Sequence, residues 1–158
     1  NITNACEAYL RLNRVSKNDY LLVHIRKSDF LSIDKYKDLN FSDETWLNSI
    51  LKLCAETSIN EIVLFSDSIL SNFLISKLIK HEITVIQPDK EKRNDLFLEI
   101  FINYVANAKF VMCNASSLAL SFSFIFHKSV FLPSRNNYFQ KVSLYNAHKS
   151  YPALLNWN

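Results

Sequence analysis

Two apolar patterns alternate along this chain, and that alternation constrains its fold more than any other feature. Short apolar runs at residues 20–25, 61–65, 83–86, 110–113 and 129–132 have the length and content of buried strands. Between them lie segments with apolar residues at helical spacing. Ser42-Asp43-Glu44 reads as an N-cap with acidic first-turn residues, and Trp46, Leu47, Ile50, Leu51 and Cys54 follow on a helix to about Glu56. Ser66 or Ser68 is expected to cap a second helix, with Leu70, Phe73, Leu74, Leu78 and Ile79 on one face. Lys90–Asn94 reads as a solvated turn, and from Asp95 the positions Leu96, Phe97, Ile100, Phe101 and Tyr104 mark an amphipathic helix. Residues 116–126 predict another helix, residues 5–14 a short one, and the tail from Gln140 one more, ending near Pro152. Strands alternating with helices predict one doubly wound α/β domain, with a mostly parallel sheet covered on both faces. In such a fold the ligand lies at the C-terminal ends of the strands.

The 158 residues fit a single domain of ordinary size. With 49% hydrophobic residues and a net charge of +3, global disorder is excluded. Cys6, Cys54 and Cys113 are odd in number and outside any CxxC pattern, which argues against a disulfide scaffold or a thiolate zinc site and fits a reducing compartment. No secretory signal is visible. The longest uncharged stretch, Phe110 to Phe126, falls short of the roughly 20 apolar residues of a spanning helix and reads better as a strand followed by a helix. No basic run is dense enough to propose nucleic acid as a partner. The opening Asn-Ile-Thr, without methionine, suggests a piece of a longer protein.

Glycine is absent from the sequence, where roughly 7% usage predicts about 11. Every phosphate motif that relies on glycine is thereby excluded, the Walker A loop and GxGxxG turn among them. A phosphate site in this chain must use arginine, hydroxyls and helix N-termini.

The loops after three strands supply such groups. The first strand runs into His24-Ile-Arg-Lys-Ser-Asp29, the second into Ser66-Asp67-Ser68, and the fourth into Asn114-Ala-Ser-Ser117. Arg26 can grip two phosphate oxygens at once and stays charged at any working pH. A helix starting near Ser116 offers unpaired backbone N–H groups and a positive dipole end. Asp67 suits a nucleobase edge or a ribose hydroxyl. Each has a plainer reading: Arg26 as a salt-bridge partner, Asn114 and Ser116 as N-caps, Asp67 as a cap of its own helix, and His24 as a core imidazole bonded to a carbonyl.

Taken together, these loops resemble a family. His24-Ile-Arg-Lys-Ser-Asp29 is similar to the HxRRxD motif of fucosyltransferases, particularly the bacterial α-1,2-fucosyltransferases of surface polysaccharides. Phe65-Ser-Asp67 is similar to their FSD segment. Asp95-Leu96 and Ala108-Lys-Phe-Val-Met-Cys-Asn-Ala-Ser-Ser-Leu118 resemble their acidic-Leu helix and ANSSFSWW-like stretch. The similarity covers roughly residues 20–135, with departures: Lys27 replaces the second arginine, Ser28 a common glycine, and the tryptophan pair is missing.

The resemblance implies the C-terminal, donor-binding half of a two-domain GT-B enzyme that transfers fucose from GDP-fucose to a glycan acceptor. By it, Arg26 contacts the diphosphate, His24 and Asp67 the guanosine, and Ser116 and Ser117 the phosphate or sugar, with Lys27 and Asn114 as further donor-binding residues. The chain has no DxD motif, so the expected mechanism is metal-independent and inverting, with no resident cofactor. Asp34 is the nearest acidic candidate for a base; its other reading is a solvated loop carboxylate beside Lys35. Asp29 is expected to brace the loop. The expected setting is the bacterial cytoplasm, with no membrane span and room for peripheral association with the inner membrane. The alternatives are a non-catalytic nucleotide-sugar-binding module and a general phosphate-binding α/β domain in which Arg26 is structural.

Overall fold

The strands foreseen from the apolar runs form one sheet. In the computed structural model, which describes residues 19–28, 39–88, 93–114, 116–132 and 154–156, they are β1 (Leu21–Ile25), β2 (Glu61–Ser66), β3 (Thr84–Ile86), β4 (Phe110–Cys113) and β5 (Ser129–Leu132). A sixth strand, β6 (Leu154–Asn156), lies in the tail. It adds a strand to the five expected from the apolar runs. The order is β3-β2-β1-β4-β5-β6 with every pairing parallel. The helices are α1 (Asp43–Thr57), α2 (Asn72–Lys80), α3 (Arg93–Asn107) and α4 (Ser117–Ile125). This is the doubly wound α/β architecture, with a sheet that is wholly rather than mostly parallel. The helices read from residues 5–14 and from Gln140 to Pro152 fall outside the described residues, as do Asp29, Asp34 and Cys6.

Every residue of β1 is buried, because both faces of a central parallel strand are covered. Leu21, Val23 and Ile25 pack with Trp46, Ile50 and Leu53 of α1 and with Leu74 and Leu78 of α2. Leu22 faces the other way, into a layer with Phe65, Phe101, Val105 and Ala119 beneath α3 and α4. Phe65 anchors that layer, with ring centroids 5.0 Å from Phe101, 5.7 Å from Tyr104 and 6.0 Å from Phe97. Tyr20 donates its hydroxyl to the Tyr104 carbonyl at 2.6 Å, and burial pushes its pKa well up. Among the described residues no helix is long and apolar enough to cross a membrane.

The cap of α2 differs from expectation. Ser71 accepts from the Leu74 amide at 3.3 Å, so neither Ser66, Ser68 nor Asp67 caps this helix. Its buried face is Leu74 and Leu78, while Phe73 and Ile79 are exposed.

Without glycine, the helices end on residues that carry a Cβ. Ser58, Glu82 and His127 have φ of 56°, 63° and 54°, the left-handed region that favours glycine. After α2 the Ile83 amide bonds to the Leu78 carbonyl and the Glu82 amide to that of Ile79; after α4 the Lys128 and His127 amides bond to Ser123 and Phe124 in the same way. The paired bonds satisfy carbonyls that a helix end otherwise leaves open, and they hold an unfavourable backbone in place. Glu82 is exposed, so Glu82→Gly removes the Cβ clash without removing a packed side chain. It is expected to stabilise the chain by about 0.5–1 kcal/mol, the steric relief less glycine's extra chain entropy. Urea unfolding checks this, and a stability loss contradicts it.

Candidate functional site

The sheet reverses its winding between β1 and β4. The helix after β1 covers one face and the helix after β4 the other, so their connections diverge and leave a crevice at the C-terminal ends of the two strands. The register pairs His24 with Cys113 and Ile25 with Ser66, which brings the loop after β1 between the loops after β4 and β2. His24, Arg26, Lys27, Asp67, Asn114 and Ser116 therefore meet at one edge, although up to 92 positions separate the partners that bond there.

Asn114 is completely buried, and its amide is committed to backbone. Its Oδ1 accepts the Arg26 N–H at 3.0 Å, and its Nδ2 donates to the carbonyls of Arg26 at 2.7 Å and Leu39 at 3.1 Å. The plainer reading of Asn114 as an N-cap is not what forms; Ser116 is the N-cap of α4, its Oγ accepting from the Ala119 amide at 3.1 Å. That Oγ also lies 2.8 Å from Nδ1 of His24. His24 is 6% exposed and packs against the Phe101 ring at 5.1 Å. It is a buried imidazole, and its Nδ1 meets the Ser116 hydroxyl. Ser117, at the first turn of α4, is exposed.

On the β2 side, Asp67 is exposed and holds the loop after β1. Its carboxylate accepts from the Lys27 amide at 2.8 Å, the Ser28 amide at 3.3 Å and the Ser28 hydroxyl at 2.5 Å. Lys27 pairs with Asp43 at 2.7 Å, at the start of α1. Burial pushes the Asp43 pKa up, but the hydrogen bonds from Lys27 and Ser71 and the charge of Lys27 outweigh it and hold the carboxyl below its ordinary range. Arg26 is half-buried at the crevice edge, its backbone fixed from the β4 side and the two residues after it from the β2 side.

Sequence reasoning placed these residues in one crevice but missed three of their tasks: the Asn114 clip, the Lys27–Asp43 pair and the Asp67 strut. The signal for the strut and the clip was the register, since Ser66 beside Ile25 sets Asp67 beside Arg26. Nothing in the spacing announced the ion pair. Among the described residues no group of three or more His, Cys, Asp or Glu is placed to hold a metal ion.

An all-parallel sheet of this order, with its crevice between β1 and β4, can be compared with solved structures directly. The fold is similar to that of POFUT1. The likeness to POFUT1 in complex with GDP has a TM-score of 0.52 at 15% identity, covering 80% of this chain and 42% of that one. The likeness to POFUT1 in complex with GDP-fucose has a TM-score of 0.50 at 15% identity, covering 80% and 41%. POFUT1 is a fucosyltransferase of GT-B fold, and at this identity the likeness concerns the fold. The chain spans less than half the length of these POFUT1 structures. No family model and no curated protein matches the chain.

Proposed function

We propose that this domain binds a nucleoside diphosphate sugar, GDP-fucose foremost, and serves as the donor-binding half of a fucosyltransferase acting on a glycan. The observation that carries the reading is Arg26, held by Asn114 beside the Ser116-capped N-terminus of α4 at the switch point. An arginine on a loop beside a helix N-terminus suits a diphosphate. The GDP and GDP-fucose held by POFUT1 support the choice of nucleotide.

In this reading the diphosphate lies against Arg26 and the first turn of α4, with Ser117 at its edge. As the sugar departs, negative charge grows on the diphosphate, and these fixed positive groups stabilise it without reorganising. His24 acts through Ser116 by holding the cap. Asp34 keeps its place as the candidate base for the acceptor hydroxyl. The mechanism is inverting and metal-independent, in keeping with the lack of a DxD motif. Sugar transfer by the complete protein is therefore expected to survive EDTA; loss with EDTA and recovery with manganese or magnesium contradicts this. A cytoplasmic setting accords with three cysteines that lie outside any CxxC pattern.

The experiment is calorimetry with GDP, UDP, CMP and ADP. GDP is expected to bind in preference to the others, and no binding by any of them removes the reading. A second reading, a non-catalytic nucleotide-sugar-binding module, is favoured by Lys27, whose ammonium is paired with Asp43. GDP binding without transfer by the complete protein selects it.

Asp67 gives a sharper test within the site. As a strut, Asp67→Asn disturbs the loop carrying Arg26, so GDP and inorganic pyrophosphate are expected to weaken together. A reader of the guanine edge loses GDP alone, because the wrong pairing falls only on the base. Titrating both ligands against that variant separates the two tasks.

A further inference from the structure

The β1–β4 ladder stops at His24 and Cys113, yet the next turn of backbone is not left to water. The Asn114 side chain continues the pairing in place of a strand. Its amide has one carbonyl and two N–H groups, and all three functions face backbone partners, two of them on Arg26. Those partners also fix the amide's orientation: reversed, it would set its N–H groups against the Arg26 N–H and its oxygen against two carbonyls. With 0% exposure, nothing of Asn114 remains for a ligand to touch. The third bond, to Leu39, ties the same amide to the chain just before α1. One side chain thus fixes both the residue after β1 and the approach to the next helix.

We propose that Asn114 is a positioning residue for Arg26 rather than a donor ligand: it sets the backbone from which the guanidinium meets the diphosphate. This rests on the reading that Arg26 holds that diphosphate. The clip satisfies the Arg26 N–H and C=O at once, so the residue cannot rotate about its own backbone without breaking a partly buried bond. Preorganisation of this kind raises affinity by removing an ordering cost that the ligand would otherwise meet.

The test is a double-mutant cycle on GDP affinity with Arg26→Ala and Asn114→Asp. Asn114→Asp keeps the shape but, once ionised, sets a carboxylate oxygen against the carbonyls of Arg26 and Leu39. The expected result is a roughly tenfold loss from Asn114→Asp alone, within the usual range for coupled neighbours, and no further loss in the Arg26→Ala background. The loss should grow with pH as the carboxylate forms, and neither the parent protein nor the double variant should show that growth. Equal losses in both backgrounds overturn the proposal, because Asn114 then acts without Arg26. An Arg26→Ala protein that binds GDP normally overturns the reading that Arg26 holds the diphosphate, and that single variant tells the two failures apart. If Asn114→Asp does not fold by circular dichroism, Asn114→Ser carries the same cycle. Failure of both to fold assigns Asn114 to the fold as a whole and overturns the proposal.

Discussion

Phe101→Ala is expected to cost about 3–5 kcal/mol, the usual range for truncating a buried phenylalanine. Phe101 has 0% exposure, and its ring meets Phe65 edge-on, stacks with Phe97 at 5.8 Å and supports His24 from below. The cavity would open between α3 and the sheet, where β1 and β2 fix the backbone and collapse is hard. Against a total stability of roughly 5–15 kcal/mol the loss is large. It corresponds to a fall in melting temperature of roughly 10 °C or more. Urea unfolding at fixed pH measures it, and a loss below about 1 kcal/mol would show that α3 does not pack on β1 and β2 as described. Phe101→Leu, which keeps most of the volume, should lose far less.

The second large effect falls on binding. Arg26→Ala is expected to remove charge-assisted hydrogen bonds of about 1.5–3 kcal/mol from the diphosphate. That is a loss of roughly 10- to 150-fold in GDP affinity. Inorganic pyrophosphate should suffer as much as GDP, since the guanidinium addresses the charge they share. Arg26→Lys should recover only part of the loss, because a point charge lacks the planar fork that grips two oxygens together. Unchanged GDP affinity in a folded Arg26→Ala protein would hand the residue to a structural task.

Much of this architecture was legible because central parallel strands are covered on both faces. A strand such as Leu21–Ile25 must be apolar throughout, and so stands out from amphipathic neighbours. β6 was not legible: three residues carry too little pattern, and its place beside β5 is decided by a pairing distant in sequence. The α2 cap was misread because Ser66, Ser68 and Ser71 crowd the same loop. Only Ser71 stands three residues before an amide that its hydroxyl reaches. The spacing sets Phe73 and Ile79 on one face with Leu74 and Leu78, but a short helix on a sheet buries a narrow stripe, here Leu74 and Leu78 alone.

The candidate site was legible as a set of loops and illegible as a set of partners. Rules of topology bring the residues after β1, β2 and β4 together whatever their neighbours. Which atoms bond there depends on register: an offset of one residue between β1 and β4 would take Asn114 away from Arg26. The same rule explains why Lys27 and Asp67 read as ligands, since side-chain chemistry was visible and the facing backbone was not. The buried imidazole among the readings of His24 matches its depth beside Phe101.

The central claim is that a nucleoside diphosphate occupies the crevice at the ends of β1 and β4. The most direct measurement is a titration of isotope-labelled protein with GDP, followed through the backbone amide resonances. The account predicts saturable shifts concentrated at Arg26, Lys27, Ser28, Ser116 and Ser117, with the opposite edge of the sheet around Asn60 and Lys109 unmoved. Saturating GDP that leaves the crevice amides in place, or that moves only the opposite edge, would contradict it.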